Sequence, residues 1–178
     1  MTKQDNRVFI IDACVLIDYV NVDISVLSRF AKKFGEVTVA LDTLVEEVEG
    51  LDVASCYRAG ISVYEPNADQ LEAAGQPKGQ LSFHDKLLFL LARDNGWTAI
   101  TNDVGLTRAC REVGISVVRG LRPLIELVKA GDLSRKEAEK SVKMMISANK
   151  YLDNWLFMEF RKKVGTRVTK TRKRRRVK

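Results

Sequence analysis

Cysteine and histidine are scarce in this chain. Its three cysteines, Cys14, Cys56 and Cys110, are far apart and lack the paired spacing of a metal site, and His84 is the only histidine. A thiol inside an apolar stretch behaves as a small hydrophobe. The pattern is therefore typical of reduced, intracellular thiols.

Long apolar runs are also absent. No segment approaches the ~18 apolar residues that a membrane span requires. The apolar run at positions 8–17 is interrupted by Asp12 and lacks the basic region and cleavage site of a signal peptide. We therefore expect a cytoplasmic protein with no membrane partner.

The overall composition is typical of a globular protein. Of 178 residues, 46% are hydrophobic and 30% are charged, which fits one compact, folded domain with an appendage. The formal net charge is +7, but residues 161–178 hold eleven Lys or Arg and no acid, which leaves 19 basic against 23 acidic residues elsewhere. A mildly acidic body thus carries a strongly basic tail.

Short apolar or β-branched runs alternate with helical patterns along the first 130 residues. The predicted strands are Val8–Ile11, Glu36–Leu41, Ile61–Tyr64, Thr98–Thr101 and Ile115–Val118. The helical patterns at 81–95, 106–113 and 121–130 each end at a glycine, which is a common helix stop. Strands separated by helices predict a central parallel sheet of about five strands in a three-layer α/β/α fold.

Two further helices, at 134–148 and 151–163, follow the last predicted strand. The second is rich in apolar residues such as Tyr151, Trp155 and Phe160, so we expect it to pack on the body or on a partner. The predicted organisation is a domain at 7–130, a helical extension at 131–163 and a basic, disordered tail at 164–178.

Acidic residues stand at the ends of predicted strands, where parallel α/β sheets bind their ligands. Asp12 ends the first strand, Asp103 ends the fourth, and Asp85 opens the helix that leads to the fourth. Helix capping is the simpler explanation for each of them, and Ser82 and Asp85 have the spacing of a capping box. However, carboxylates that converge on one rim repel each other unless a cation neutralises them, so the set favours Mg²⁺ or Mn²⁺.

Glu46 and Glu47 compete for a place in the same pocket. The predicted buried face of their helix consists of Leu44, Val45, Val48 and Leu51. This face places Glu47 at its edge and Glu46 nearly opposite. Glu46 also follows Thr43 by three residues, so it can serve a capping box. We therefore predict Glu47 as the pocket residue.

These residues resemble the PIN-domain ribonucleases, a family that includes the toxin subunits of VapBC toxin–antitoxin pairs. The similarity covers about residues 7–130, and its four segments occur in the family's order. The segments are Val8-Phe-Ile-Ile-Asp12-Ala-Cys-Val-Leu-Ile-Asp, Leu44-Val-Glu-Glu47-Val, Leu81-Ser-Phe-His-Asp85-Lys-Leu-Leu-Phe-Leu-Leu-Ala and Ala99-Ile-Thr-Asn-Asp103-Val-Gly-Leu. The stretch Gly114-Ile-Ser-Val-Val supplies the expected last strand.

The resemblance implies an acidic pocket formed by Asp12, Glu47, Asp85 and Asp103, with Asp12 as the central metal ligand. One or two Mg²⁺ or Mn²⁺ ions bound there would activate water for hydrolysis of RNA phosphodiester bonds. Thr101 would support Asp103. The implied activity is that of an endoribonuclease, and the implied role is the toxin of a VapBC-type pair with an antitoxin protein as its partner.

Other residues near these motifs have plainer interpretations. His84 is expected to be an exposed residue of a first helical turn, and Asn102 is expected to form a turn or to contact the substrate. Asp18 and Asp42 are expected on the surface or at helix caps. The apolar C-terminal helix is expected to complete the core or to form a homodimer contact, and an antitoxin is a further candidate for the same surface.

The basic tail contains the run Arg172, Lys173, Arg174, Arg175 and Arg176. This run is predicted to attract RNA phosphates toward an acidic body, with an affinity that falls steeply with salt. It has no aromatic residue for base stacking, so it predicts affinity without sequence choice. A solvated, solubilising extension is the alternative interpretation.

Two other enzyme classes also place an aspartate after a first strand. A haloacid-dehalogenase-like phosphatase needs a second aspartate two residues later, where this chain has Cys14. A response-regulator-like phosphoacceptor needs paired acids there and a lysine after the last strand, and this chain has neither. The alternative that stays open is a catalytically idle PIN-like module that binds RNA or a protein.

Overall fold

The structure is a computed structural model, and it describes residues 7–77, 79–149, 152 and 154–165. Its strands are β1 (Val8–Ile11), β2 (Glu36–Ala40), β3 (Ser62–Tyr64), β4 (Thr98–Ile100) and β5 (Val117–Val118). Its helices are α1 (Ala13–Val22), α2 (Ser25–Phe34), α3 (Leu41–Glu47), α4 (Val53–Arg58), α5 (Ala68–Gly75), α6 (Phe83–Asn95), α7 (Val104–Glu112), α8 (Arg122–Ala130), α9 (Arg135–Ala148) and α10 (Asn154–Gly165).

The strands form one five-stranded sheet in the order β3-β2-β1-β4-β5. Each pairing between these strands is parallel, with β1 between β2 and β4. The predicted fold class, a three-layer α/β arrangement around a parallel sheet, is confirmed. The second strand is shorter than predicted because Leu41 begins α3, and Thr101 lies in the loop after β4.

Helices cover both faces of the sheet. Along β1, Phe9 and Ile11 pack into the core of one face and Ile10 into the core of the other, as the alternation of side chains in a strand requires. The first core includes residues of α1, α2, α8, α9 and α10, and the second includes residues of α5, α6 and α7. With both faces covered, the edge at the strand ends is left for a site.

Glycine follows three of the helices as predicted, with Gly114 coming after the C-cap residue of α7. Gly96 follows α6 and Gly131 follows α8, with φ of 67° and 81° in the left-handed region. A side chain at either position would be strained, because a Cβ atom disfavours this backbone conformation. These two stops fix where the chain turns toward β4 and α9.

The C-terminal helices contribute to the main core. α9 begins with a capping box of Ser134 and Glu137, and α10 packs on α8 and α9. Phe160 of α10 is fully buried in the core that Phe9 and Ile11 share. The prediction that this apolar helix packs on the body is confirmed, although the helix begins at Asn154 and Tyr151 lies outside the described residues. None of the helices in the described part of the chain has the length and apolar character that crossing a membrane requires.

Asp18 of α1 is buried, so its expected place on the surface or at a cap is wrong. Its Oδ1 accepts a hydrogen bond from Asn149 Nδ2 at 2.9 Å, and burial raises the pKa of Asp18. Asn149 follows α9, so this bond joins the C-terminal part of the chain to α1. The sequence around Asp18 contains no sign of a partner 131 residues away.

Candidate active site

The candidate site lies at the carboxyl ends of β1 and β4, which are neighbours in the sheet. Asp12 follows β1, and its backbone N–H donates to the carbonyl of Ile100 at 3.0 Å. Thr101 and Asp103 follow β4 at the same edge. The parallel topology therefore brings together the two acidic loops that the sequence singles out, at the edge where such sheets bind ligands.

Thr101 connects these two loops. It is fully buried, and its Oγ1 donates to Asp12 Oδ2 at 2.8 Å while it accepts a hydrogen bond from the backbone N–H of Asp103 at 3.0 Å. One hydroxyl thus orients the Asp12 carboxylate against the loop that follows β4. Thr101 was predicted to support Asp103, and it contacts the backbone N–H of that residue. The carboxylate to which Thr101 donates a hydrogen bond is that of Asp12.

The Asp12 carboxylate lies where a negative charge is unfavourable. Burial raises the pKa of Asp12 from 3.8 to about 6, the hydrogen bond from Thr101 opposes the rise, and the charges of Asp85 and Glu47 add to it. Asp85 and Glu47 are therefore within electrostatic reach of Asp12. A cation among these carboxylates would relieve the repulsion and the cost of burying charge.

Asp85 lies in the first turn of α6 and is held by the helix cap. Ser82 Oγ accepts a hydrogen bond from the Asp85 backbone N–H at 3.1 Å and donates to Asp85 Oδ2 at 2.7 Å. The predicted capping pair of Ser82 and Asp85 is therefore present. Only one carboxylate oxygen is used, because Asp85 Oδ1 accepts no hydrogen bond from a described residue.

Asp103 caps α7 with its side chain. Asp103 Oδ1 accepts a hydrogen bond from the backbone N–H of Leu106 at 2.6 Å, and the residue is exposed. Asp103 is not among the groups that raise the pKa of Asp12. The capping interpretation accounts for Oδ1, and Asp103 Oδ2 accepts no hydrogen bond from the part of the chain that the structure describes.

The two glutamates at the end of α3 have different neighbours. Glu46 Oε2 lies 3.2 Å from His84 Nε2, whereas Glu47 Oε1 lies 3.9 Å from the same nitrogen and its charge reaches Asp12. The predicted buried face is wrong at Val45, which is 70% exposed, whereas Leu44 and Val48 are buried as predicted. The helix is also shorter than predicted, since α3 ends at Glu47 and Val48 has extended backbone. The capping box predicted for Glu46 is also wrong, since α3 begins at Leu41 and Thr43 lies within it.

His84 is not the exposed residue that its position in a first turn suggested. Its side chain is 14% exposed, with Nδ1 3.4 Å from Thr43 Oγ1 and Nε2 next to Glu46. The ring therefore links α6 to α3 beside the acidic residues. Its position next to Asp85 was the available signal, but helix geometry alone does not indicate that α3 approaches it.

Asn102 supports the loop after β5. Its Oδ1 accepts a hydrogen bond from the backbone N–H of Gly120 at 3.0 Å, and the Tyr19 hydroxyl donates to the Gly120 carbonyl at 2.7 Å. A Cβ atom at Gly120 would lie 2.8 Å from Asn102 Nδ2 and 3.1 Å from Val15. Only glycine allows this close approach, so Asn102 and Gly120 fix the strand ends of β4 and β5 against each other.

Cys14 is exposed beside Asp12, so the expectation of an apolar environment holds only for the buried Cys56 and Cys110. Partial burial of its thiol and the negative charge of Asp12 raise the pKa of Cys14 to about 11. The thiol therefore stays protonated at neutral pH and is a poor nucleophile.

The carboxylates of Asp12, Glu47, Asp85 and Asp103 are ligands that a hard cation prefers. Their side chains are not arranged around one point where an ion could bind. Within residues 7–77, 79–149, 152 and 154–165, no group of three or more His, Cys, Asp or Glu side chains is arranged to hold a metal ion. Asp12, Asp85 and Glu47 interact through their charges, while Asp103 binds a helix end. Rotation of side chains is therefore required before several of these oxygens contact one ion.

Comparisons with known proteins give limited similarity. No family model matches the chain, and no curated protein matches it. Among solved structures, a PilT N-terminus domain protein from the hyperthermophilic archaeon Sulfolobus solfataricus P2 is similar, with a TM-score of 0.48 and 14% sequence identity over 72% of this chain and 95% of that chain.

Proposed function

We propose that this chain is a metal-dependent endoribonuclease of the PIN type, which hydrolyses RNA phosphodiester bonds at the carboxyl edge of its sheet. The observation that carries the proposal is the state of Asp12. Burial and two nearby carboxylates raise its pKa to about 6, which is an unfavourable arrangement for a protein without a cation at this place. The four motif segments of the sequence supply the same residues independently.

The chemistry of the donors fits Mg²⁺ or Mn²⁺, which bind carboxylate oxygens. In the proposed site Asp12, Asp85, Glu47 and Asp103 hold the ion. Asp85 and Asp103 are each fixed through one carboxylate oxygen and keep the other without a hydrogen bond from a described residue. One oxygen thus orients the side chain and the other is available to a cation.

Hydrolysis adds water across a phosphodiester P–O bond. When bound, a divalent cation lowers the pKa of its water and offsets the negative charge of the phosphate. The protein's part is to hold Asp12 in one orientation through Thr101 and to fix the neighbouring acids through Ser82 and the N-terminus of α7. No nucleophilic side chain is needed, which agrees with the protonated thiol of Cys14.

RNA as substrate, a toxin role and an antitoxin partner come from the family resemblance and are part of this proposal. The predicted nucleic-acid-binding run Arg172, Lys173, Arg174, Arg175 and Arg176 lies outside the described residues. Its predicted contribution is attraction of phosphates, which would offset the acidic character of the body. Cytoplasmic location and a homodimer contact likewise stay predictions.

One observation favours a second candidate, the catalytically idle PIN-like module. The carboxylates do not form a group of three that is ready for a metal ion in the described residues. Helix capping by Asp103 and the Ser82–Asp85 pair is a structural use of two of them. An idle module would bind RNA or a protein without cutting it and without needing a metal ion.

The test is cleavage of an end-labelled single-stranded RNA by the full chain with Mg²⁺ or Mn²⁺. We expect Asp12→Asn to lose about 100-fold or more of the activity, and EDTA to abolish it, because both remove the bound cation. Asp94→Asn is the matched control, since Asp94 lies near the other end of α6 and pairs with Arg93.

Two results would overturn the proposal. Equal, metal-dependent cutting by the wild type and by folded Asp12→Asn would remove Asp12 from the site. Absence of cutting by every form, together with absence of Mn²⁺ binding by the wild type, would refute the nuclease proposal and favour the idle module. Circular dichroism of each variant shows whether it is folded.

A further inference from the structure

A cavity of about 290 Å³ lies between α8, α10 and the edge strand β5. Its walls include Arg119 after β5, Arg122 and Ile125 of α8, and Trp155, Phe160 and Lys163 of α10. The volume is close to the lower limit of small-molecule sites, which are about 300–1,000 Å³. The cavity thus has room for one small planar group and not for a bulky ligand.

The lining combines an apolar base with a positive rim. Ile125 and Phe160 are buried, whereas Trp155, which also lines the cavity, is 67% exposed. Arg119, Arg122, Lys129 and Lys163 surround the cavity, and Glu159 is the one acidic residue in its lining. An aromatic ring beside several cations favours a ligand that has both a flat apolar part and negative charge.

Two of the cations share one carboxylate, that of Glu126. Arg122 Nε lies 2.8 Å from Glu126 Oε1, and Lys129 Nζ lies 3.7 Å from the same oxygen. Arg119 instead lies 3.5 Å from the Thr107 hydroxyl, and no carboxylate of a described residue forms an ion pair with Arg119 or Lys163. Arg119 and Lys163 are therefore the cations available to an anionic ligand.

Hydrogen bonds along the edge of the sheet connect the cavity to the loop that contains Asp103. Arg119 contacts Thr107, whose hydroxyl donates to the carbonyl of Asp103, and Gly120 is bonded to Asn102. β5 is separated from β1 by β4 alone, so their ends are about 10 Å apart at the usual strand spacing. At about 3.4 Å per nucleotide of a stacked strand, two or three nucleotides span this distance.

Resting on the proposed function, we propose that this cavity binds one nucleotide of a single-stranded RNA substrate a few positions from the scissile bond. The base lies against Trp155 above the apolar floor, and the adjoining phosphates contact Arg119 and Lys163. Stacking on an aromatic ring tolerates every base, because each has a π-face. The site therefore selects single-stranded over paired RNA and has little sequence preference.

The test measures binding rather than cleavage. The probe is a fluorescein-labelled, single-stranded oligoribonucleotide of about ten nucleotides, within the site size of single-strand binders. Fluorescence anisotropy is recorded in EDTA with the full chain, and Asp12→Asn is present in every variant so that the probe stays intact. We expect Trp155→Ala to weaken binding about tenfold and Trp155→Phe to retain most of it.

Charge is tested separately from stacking. Lys163→Gln and Arg119→Gln should each lower the slope of log affinity against log salt by about 0.7. The matched controls are Lys140→Gln, an exposed cation of α9, and Tyr57→Ala, an exposed aromatic residue of α4. Neither control lines the cavity, so neither should change the contribution of the cavity to binding.

Three results would overturn the proposal. The first is an affinity for RNA that is the same in Trp155→Ala and Tyr57→Ala. The second is no preference of the wild type for single-stranded over duplex RNA. The third is tighter binding of a labelled peptide of alternating Glu and Leu, lost in Trp155→Ala, which would assign the cavity to a protein partner. Failure of the nuclease proposal gives a different pattern: cavity variants weaken RNA binding in this assay, yet the wild type does not cut RNA in the separate cleavage assay.

Discussion

Two regions at the same edge of the sheet have opposite chemistry. At the centre, between the ends of β1 and β4, burial and neighbouring acids raise the pKa of the Asp12 carboxylate. At the edge strand, Arg119 and Lys163 border a cavity with an exposed indole. We propose that the first region binds a cation and that the second binds an anion with a flat ring. Their difference is that expected between a place where a phosphodiester reacts and a place where the strand is held.

The largest expected effects separate these two regions kinetically. Asp85→Asn should lower kcat by about 100-fold with little change in KM, since it removes an interaction needed for the reaction itself. Trp155→Ala should raise KM about tenfold and leave kcat nearly unchanged, because it removes binding that is equal in the ground and transition states. Steady-state kinetics on one RNA substrate measure both. If Asp85→Asn and Trp155→Ala both change kcat, or both change KM, the two regions do not have the separate roles proposed for them.

The second prediction concerns stability without metal. The pKa of Asp12 is about 6 in the folded protein against 3.8 for an unperturbed carboxyl, so the folded state binds the proton more tightly. The contribution of Asp12 to stability is therefore fully present below about pH 4 and is lost as pH rises through about 6. Asp12→Asn should then raise the free energy of unfolding at neutral pH by about 2 kcal/mol.

Thermal unfolding in EDTA at acidic and neutral pH measures this difference. The gain from Asp12→Asn should be small at pH values near the unperturbed pKa and should grow toward neutrality. Added Mg²⁺ should raise the Tm of the wild type and leave that of Asp12→Asn unchanged. A variant that is less stable than the wild type in EDTA at neutral pH would show that the charge of Asp12 is compensated without a cation.

The smallest expected effect tests the connection through Thr101. Thr101→Val should lower cleavage about tenfold, because the Asp12 carboxylate loses the hydroxyl that orients it. Thr101→Ser keeps the donor to Asp12 and the acceptor for Asp103, so it should retain most of the activity. The same RNA cleavage assay measures both, and equal activities for Val and Ser would mean that orientation of Asp12 does not depend on this hydroxyl.

Much of the fold could be predicted because its signals are local. The alternation at Phe9, Ile10 and Ile11 and the glycines after α6 and α8 follow from strand and helix geometry alone. Parallel pairing then places the ends of β1 and β4 together, so the positions of Asp12 and Asp103 at one edge were accessible from the sequence.

What could not be predicted depends on contacts between distant segments. The burial of Asp18 depends on Asn149, and the position of the His84 ring depends on the approach of α3 to α6. Val45 is exposed and α3 stops after seven residues, whereas the sequence predicted a longer helix with Val45 on its buried face. The cavity exists only because α10 docks beside α8, and the apolar excess of α10 indicated packing but not the shape it produces.

Calorimetric titration of the metal-free protein with Mn²⁺ shows whether Asp12 belongs to a cation site. The carboxylates around Asp12 are proposed to form a divalent-cation site, so the wild type should bind Mn²⁺ and folded Asp12→Asn should not. Asp94→Asn should bind as the wild type does. Equal binding by the wild type and Asp12→Asn, or no binding by either, would show that these carboxylates do not form a cation site that depends on Asp12.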